Sequence, residues 1–150
     1  MAIKYFAELS AEETDLMLQA PAIVTILIAG ADDDIDKKEK NWAARLVQYR
    51  TFTSEVKLHS YYEAVQERFE GDLDTLEAGW STETGSQDLS AKLAAVNSIL
   101  PKIDSDIASL LTESWRSLAK KVAEASGGIL GFGSVEEAER ALIGLPMIDA

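Results

Sequence analysis

Five carboxylates stand within eight residues of one another: Asp32, Asp33, Asp34, Asp36 and Glu39, in the run Ile28-Ala29-Gly30-Ala31-Asp32-Asp33-Asp34-Ile35-Asp36-Lys37-Lys38-Glu39. Oxygen donors of this kind are what hard cations such as Ca²⁺ or Mg²⁺ take. Carboxylates so close together repel one another, and a bound cation relieves that repulsion. The spacing Asp32-x-x-Ile35-x-x-x-Glu39 has the look of the second half of an EF-hand loop. The first half is missing, because the early ligand positions fall on Ile28 and Gly30 and Asp33 stands where the turn glycine belongs, so an EF-hand is rejected. Helix capping is the other reading of the same residues. Asp36 and Glu39 have roughly the spacing of a capping box, and acids in a first turn gain ~0.3–1 kcal/mol each from the helix dipole. The two roles are physically compatible.

Other chemistry is sparse. The chain has no cysteine, which removes disulfides, thiolate metal sites and thiol nucleophiles together. His59, in Leu58-His59-Ser60-Tyr61-Tyr62, is the one histidine. With no evident nucleophile or ligand partner it is read as a surface or packing residue rather than a catalytic one. The glycine-rich run Gly127-Gly128-Ile129-Leu130-Gly131-Phe132-Gly133-Ser134 lacks the Gly-Lys-Ser/Thr ending and the preceding strand of a phosphate loop, and acids follow it. Its glycines read as tight turns, with Leu130 and Phe132 against the core and Ser134 capping a last helix. No catalytic residue is assigned, and the chain is read as non-enzymatic.

The elements that must carry these residues are helical. Sustained two-residue alternation is absent, and apolar residues recur at spacings of three and four. Ser10 and Glu13 have capping-box spacing, so a first helix is expected after Ser10. Pro21 suits the first turn of a second helix. That helix, with Ile23, Val24, Ile26, Leu27 and Ile28, is apolar nearly all round and is expected to be central, ending at Asp32-Asp33-Asp34. The next is expected from near Asp36 to about Tyr49, with Trp42, Leu46 and Tyr49 on one stripe. Thr51-Phe52-Thr53-Ser54 reads as a turn and a new cap. A further helix carries Tyr61, Val65 and Phe69, continuing towards Leu76. Ser81 to Ser86 reads as loop. A long amphipathic stretch follows through Leu89, Leu93, Val96, Leu100, Ile103, Ile107, Leu111, Trp115, Leu118 and Val122. Pro101 is expected to divide it and Gly127-Gly128 to end it. A last short helix is expected from about Val135 to Ile143, stopped by Pro146. Trp42 and Trp115 are expected in the core, and Trp80, beside a loop, partly exposed.

These elements predict an all-α fold: one domain over residues 1–150, a compact bundle of six or seven helices. At 47% hydrophobic residues a chain of this length buries roughly 70% of the surface it exposes when unfolded, enough to fold without disulfides or a structural metal. The net charge of −12, from 26 acids against 14 bases, repels nucleic-acid phosphates and anionic lipid heads. The longest nearly apolar run, Ala20 to Ala31, is about a dozen residues against the ~20 that span a bilayer, so direct membrane insertion is not expected. The N-terminus lacks the pattern of a signal peptide, and the expected location is cytoplasmic.

A weak internal repeat pairs two places where an apolar helix breaks and an acidic helix begins. Aligned, Asp32 faces Ser126, Ile35 faces Val135 and Glu39 faces Glu139. Together the run from Ile28 to Glu39 and the run Ala123-Glu124-Ala125-Ser126-Gly127-Gly128-Ile129-Leu130-Gly131-Phe132-Gly133 resemble the TerB-like family of tellurite-resistance proteins. The signature there is small-Ala-Asp-Gly-x-Ile-x-x-x-Glu. The resemblance covers the first fifty and last thirty residues. Asp33 replaces the family glycine and Ser126 the second aspartate. It implies an all-α bundle with an internal duplication, a setting of chemical stress, and a divalent cation (Ca, Mg or Mn) held by Asp32, Glu39 and Glu139. It also implies other proteins as partners. A protein–protein interaction module, whose acids only cap helices and solubilise, is the alternative.

Overall fold

The computed structural model describes residues 3–29, 37–53, 56–80, 84–127 and 144–148. Among them there are five α-helices and no strand: α1 (Ala11–Ala29), α2 (Lys37–Thr53), α3 (His59–Ala78), α4 (Gly85–Ala94) and α5 (Ser105–Gly127). Short 3-10 turns stand at Lys4–Phe6, Val56–Leu58, Ala95–Ser98 and Leu100–Lys102. No helix among the described residues is long and apolar enough to cross a membrane. α1 runs through the middle and packs on α3, α5 and α4, while α2 closes the bundle against α3 and α5.

α1 begins as its sequence predicts. The Glu13 amide donates to the Ser10 hydroxyl (3.1 Å) and the Ser10 amide to the Glu13 carboxylate (2.9 Å), a reciprocal capping box. Lys102, 2.5 Å from the same carboxylate, adds a hydrogen bond and its charge, and holds Glu13 below the usual carboxylate range. From Ala20 to Ala29 every residue of α1 is buried, so no face is left for water.

Pro21 does not begin a second helix: α1 passes through it unbroken. This fusion makes five helices where six or seven were expected, the helix predicted at Val135–Ile143 lying outside the described residues. An interior proline removes the bond its N–H would give to the carbonyl four residues back and crowds that carbonyl, at a cost of ~3 kcal/mol or more. Here that carbonyl belongs to Met17, and it has another donor. The buried Tyr61 hydroxyl of α3 donates to Met17 O at 2.6 Å and accepts from the Trp115 indole N–H of α5 at 3.0 Å. Thr25, also buried, is satisfied by donating to Pro21 O at 2.8 Å. Breaking α1 here would instead place the unpaired groups of two helix ends in the core. Burial pushes the Tyr61 hydroxyl well above the ordinary phenol pKa, so it remains a donor.

Aromatic rings extend this centre. Phe6 and Tyr62 each meet the Tyr61 ring edge-on, with centroids 6.0 and 5.1 Å away, and the Tyr62 hydroxyl reaches Ser114 of α5. Arg68 joins α3 to α1 by bonding Asp15 (2.6 Å) while held by Asp72 one turn along (2.7 Å). Pairs this near the surface contribute ~0–1 kcal/mol, so the apolar stripe from Leu89 to Val122, nearly all of it buried, dominates.

That stripe is divided more widely than one proline requires. α4 stops at Ala94, two 3-10 turns follow, and α5 starts at Ser105, where Asp104 accepts from the Asp106 amide at 2.9 Å. Two further boundaries differ from expectation. α2 continues through Thr53 in place of a turn at Thr51, and α4 begins at Gly85 inside the predicted loop. Gly85 is a packing glycine: a Cβ there would lie 2.6 Å from the Trp80 ring. Finally, residues 144–148 lie against α5. Arg116 donates to Gly144 O (2.8 Å) and Ile148 O (3.1 Å), Asn97 donates to Met147 O (2.8 Å), and Leu145, at φ 47°, is buried with Ile148.

Tyr61→Phe leaves the Met17 carbonyl and the Trp115 N–H unpaired, and is expected to cost about 2–4 kcal/mol in chemical denaturation. In a Pro21→Ala background the restored amide can reach Met17 O, so the same change should cost less by about 1 kcal/mol. Equal costs in both backgrounds would show the proline and the tyrosine to be independent.

Candidate functional site

Asp32 and Glu139 lie outside the described residues, as do Asp33, Asp34, Asp36 and the loop from Gly128 to Ser134. Glu39 falls in the first turn of α2, with its side chain outside the description. Among the described residues no three His, Asp or Glu side chains gather as a metal site would require. His59 sits half-buried at the start of α3.

α2 turns a different face to the core from the one its large apolar residues suggest. Among the described side chains of α2, Ala43 and Val47 are the buried ones, while Trp42 is 45% and Tyr49 63% exposed, with Leu46 half-buried between them. The stripe is turned by one residue from the expected one. A large side chain signals burial in a sequence, but here the small Ala43 takes the position against the core. Trp115 is buried as expected, and Trp80 is half-buried over Gly85.

On the opposite flank of α2 a groove of about 440 Å³ runs along the seam with α3. Asn41, Ala44, Arg45 and Gln48 line it from α2, and Gln66, Glu67, Glu70 and Gly71 from α3, over a floor that includes Val47 and Phe69. A second hollow of about 260 Å³ continues it past Ala44 and Glu70 to Leu73 and Asp74. The helices are antiparallel: Gln48 shares the groove with Gln66, and Lys40, eight residues earlier, pairs with Glu77. From residue 40 to residue 48 the groove follows about 12 Å of helix.

Two features of α3 shape this seam. Glu63, Glu67, Glu70, Asp74 and Glu77 recur at spacings of four, three, four and three, which places them on one stripe. Like charges at such spacings destabilise a helix by a few tenths of a kcal/mol per pair. Gly71 lies beside that stripe in the helix interior, and a Cβ built there would meet nothing within 4 Å. Packing therefore does not demand a glycine, although one costs a helix ~1 kcal/mol relative to alanine. With Ala44 opposite, its effect is to hollow the seam. The sequence carried both signals, an interior glycine and a regular run of acids. Neither shows a groove until the register of α2 against α3 is known.

Compared with known proteins, the chain matches no family model, no curated protein and no solved structure.

Gly71→Ala is expected to stabilise the domain by about 0.5–1 kcal/mol, raising the melting temperature by a few degrees. A loss of stability in thermal or chemical denaturation would mean that the glycine is required by the fold.

Proposed function

We propose that this domain is a non-enzymatic binding module for another protein, with the outer stripe of α2 as a contact surface. One observation carries the proposal: Trp42 and Tyr49, two turns apart on one stripe, stand 45% and 63% exposed. Arg45 lies alongside and half-buried Leu46 between them. Tryptophan, tyrosine and arginine are the residue types that carry most binding energy at protein interfaces, because their broad faces leave water with little loss of side-chain freedom. The −12 charge favours a basic partner and disfavours nucleic acid. In co-purification with quantitative mass spectrometry, Trp42→Ala with Tyr49→Ala should lose the partners that the wild-type domain retains. Its melting temperature should stay within a few degrees, as expected of surface changes. Retention of the same partners by the double variant would sink the proposal.

We propose a second reading on the density of carboxylates from Asp32 to Glu39. As the TerB-like resemblance implies, Asp32 and Glu39, with Glu139 from the paired half, hold a divalent cation in a stress-response setting. A ligand specific to the folded state stabilises by ~2.7 kcal/mol at a hundred times its Kd. Millimolar Ca²⁺, Mg²⁺ or Mn²⁺ is then expected to raise the melting temperature, reversibly with chelator, and Asp32→Asn with Glu39→Gln to abolish the rise. Monovalent salt of equal ionic strength controls for screening of the acidic surface. If it reproduces the rise, or the double variant keeps it, the acids act as caps.

A further inference from the structure

We infer that the α2–α3 groove is a docking site for a basic amphipathic helix of a protein partner, an inference that rests on the binding-module reading and names a second surface for it. The shape comes first. A seam between two antiparallel helices, about two turns long and hollowed by Ala44 and Gly71, is the ridge-and-groove surface that a third helix fills. Gly71 lets an incoming backbone or apolar side chain approach α3 closely, next to the rim above Phe69.

The charge selects the occupant. Along the α3 rim Glu67, Glu70 and Asp74 are all exposed, and the rim is set in a chain of net charge −12. Lys40, on the smaller hollow, is engaged by Glu77, with Asp74 at 4.0 Å, and Arg45 lines the larger one opposite Glu67 and Glu70. An acidic helix would add to the repulsion along α3, whereas lysines or arginines at spacings of three and four would meet that stripe in register. Asn41 and Gln66, exposed and lining the groove, offer amides to the polar edge of such a helix.

The test uses three fluorescein-labelled synthetic peptides of about five helical turns. One is an alanine-rich helix with lysines and leucines on adjoining stripes, the second is the same sequence with a central alanine replaced by proline, and the third has glutamate for lysine. Fluorescence anisotropy gives the affinity, and amide chemical-shift mapping the face. The helical basic peptide should bind, shifting residues of α2 and α3, and the proline and glutamate peptides should bind at least about tenfold more weakly. Gly71→Leu, which fills the notch, should weaken binding by about tenfold or more while melting no lower than the wild type. Glu67→Gln with Glu70→Gln and Asp74→Asn should weaken it and flatten its salt dependence. No binding of the helical peptide, undiminished binding to Gly71→Leu, or equal binding of the proline peptide would overturn the proposal, the last by showing attraction to charge alone. Trp42→Ala with Tyr49→Ala separates the two surfaces. If cellular partners are lost from that variant but retained by Gly71→Leu, the binding-module reading survives and the groove does not.

Discussion

Pro21 takes one hydrogen bond out of the middle of the central helix, and three other elements are arranged around its replacement. The carbonyl it strands, on Met17, lies where no water is available to it, and an unpaired buried carbonyl costs about 1–3 kcal/mol. Tyr61 has to come from α3 to supply the donor, and Trp115 from α5 to satisfy the same hydroxyl from the other side. That fixes the depth and rotation of α3 and α5 against α1. Phe6 and Tyr62, edge-on to the Tyr61 ring, then bring in the N-terminal turn and a second tie to α5. Apolar packing supplies most of the stability, since oily surface is non-directional and plentiful here. The polar chain through Tyr61 decides which of many oily arrangements is adopted.

α2 depends on this arrangement at one remove. It closes the bundle against α3 and α5, with Ala43 and Val47 buried among its described side chains. Between residues 40 and 49 this leaves both flanks of the buried stripe open. One flank keeps two large aromatics in water, and the other meets the acid-lined seam of α3. The chemistry available for recognition is therefore divided between an aromatic stripe of α2 and a polar seam on its other flank whose acids belong to α3, about two turns long in each case.

Much of this was legible in the residues. The helical periodicity, the Ser10–Glu13 cap, the central position of Ile23 to Ile28 and the long stripe from Leu89 to Val122 are local or periodic signals, and each reports directly on burial. What escaped was tertiary. Pro21 carries a strong local signal to begin a helix, and nothing near it in sequence reveals that a tyrosine forty residues later supplies the missing bond. Trp42 outweighed Ala43 because size stands in for burial when only the sequence is known. The groove arises from the register of two helices, which a single chain of letters does not contain. The acids from Asp32 to Glu39 remain the sharpest chemical motif of the sequence; Asp32 to Asp36 and Glu139 fall outside the described residues, and Glu39 enters only through its place in the first turn of α2.

The chain through Tyr61 also sets a clock on exchange with solvent. Trp115 donates its indole hydrogen inside the core, to an oxygen that is itself held by α1. That hydrogen is expected to trade with water only through an opening that parts α5 from α3, among the rarest openings a core permits. The Trp42 ring, on the outer stripe of α2, stands 45% exposed, and no such separation is needed for water to reach it. The two indole protons therefore bracket a wide range of opening motions in this fold, one marking the parting of its core and the other the ordinary breathing of its surface.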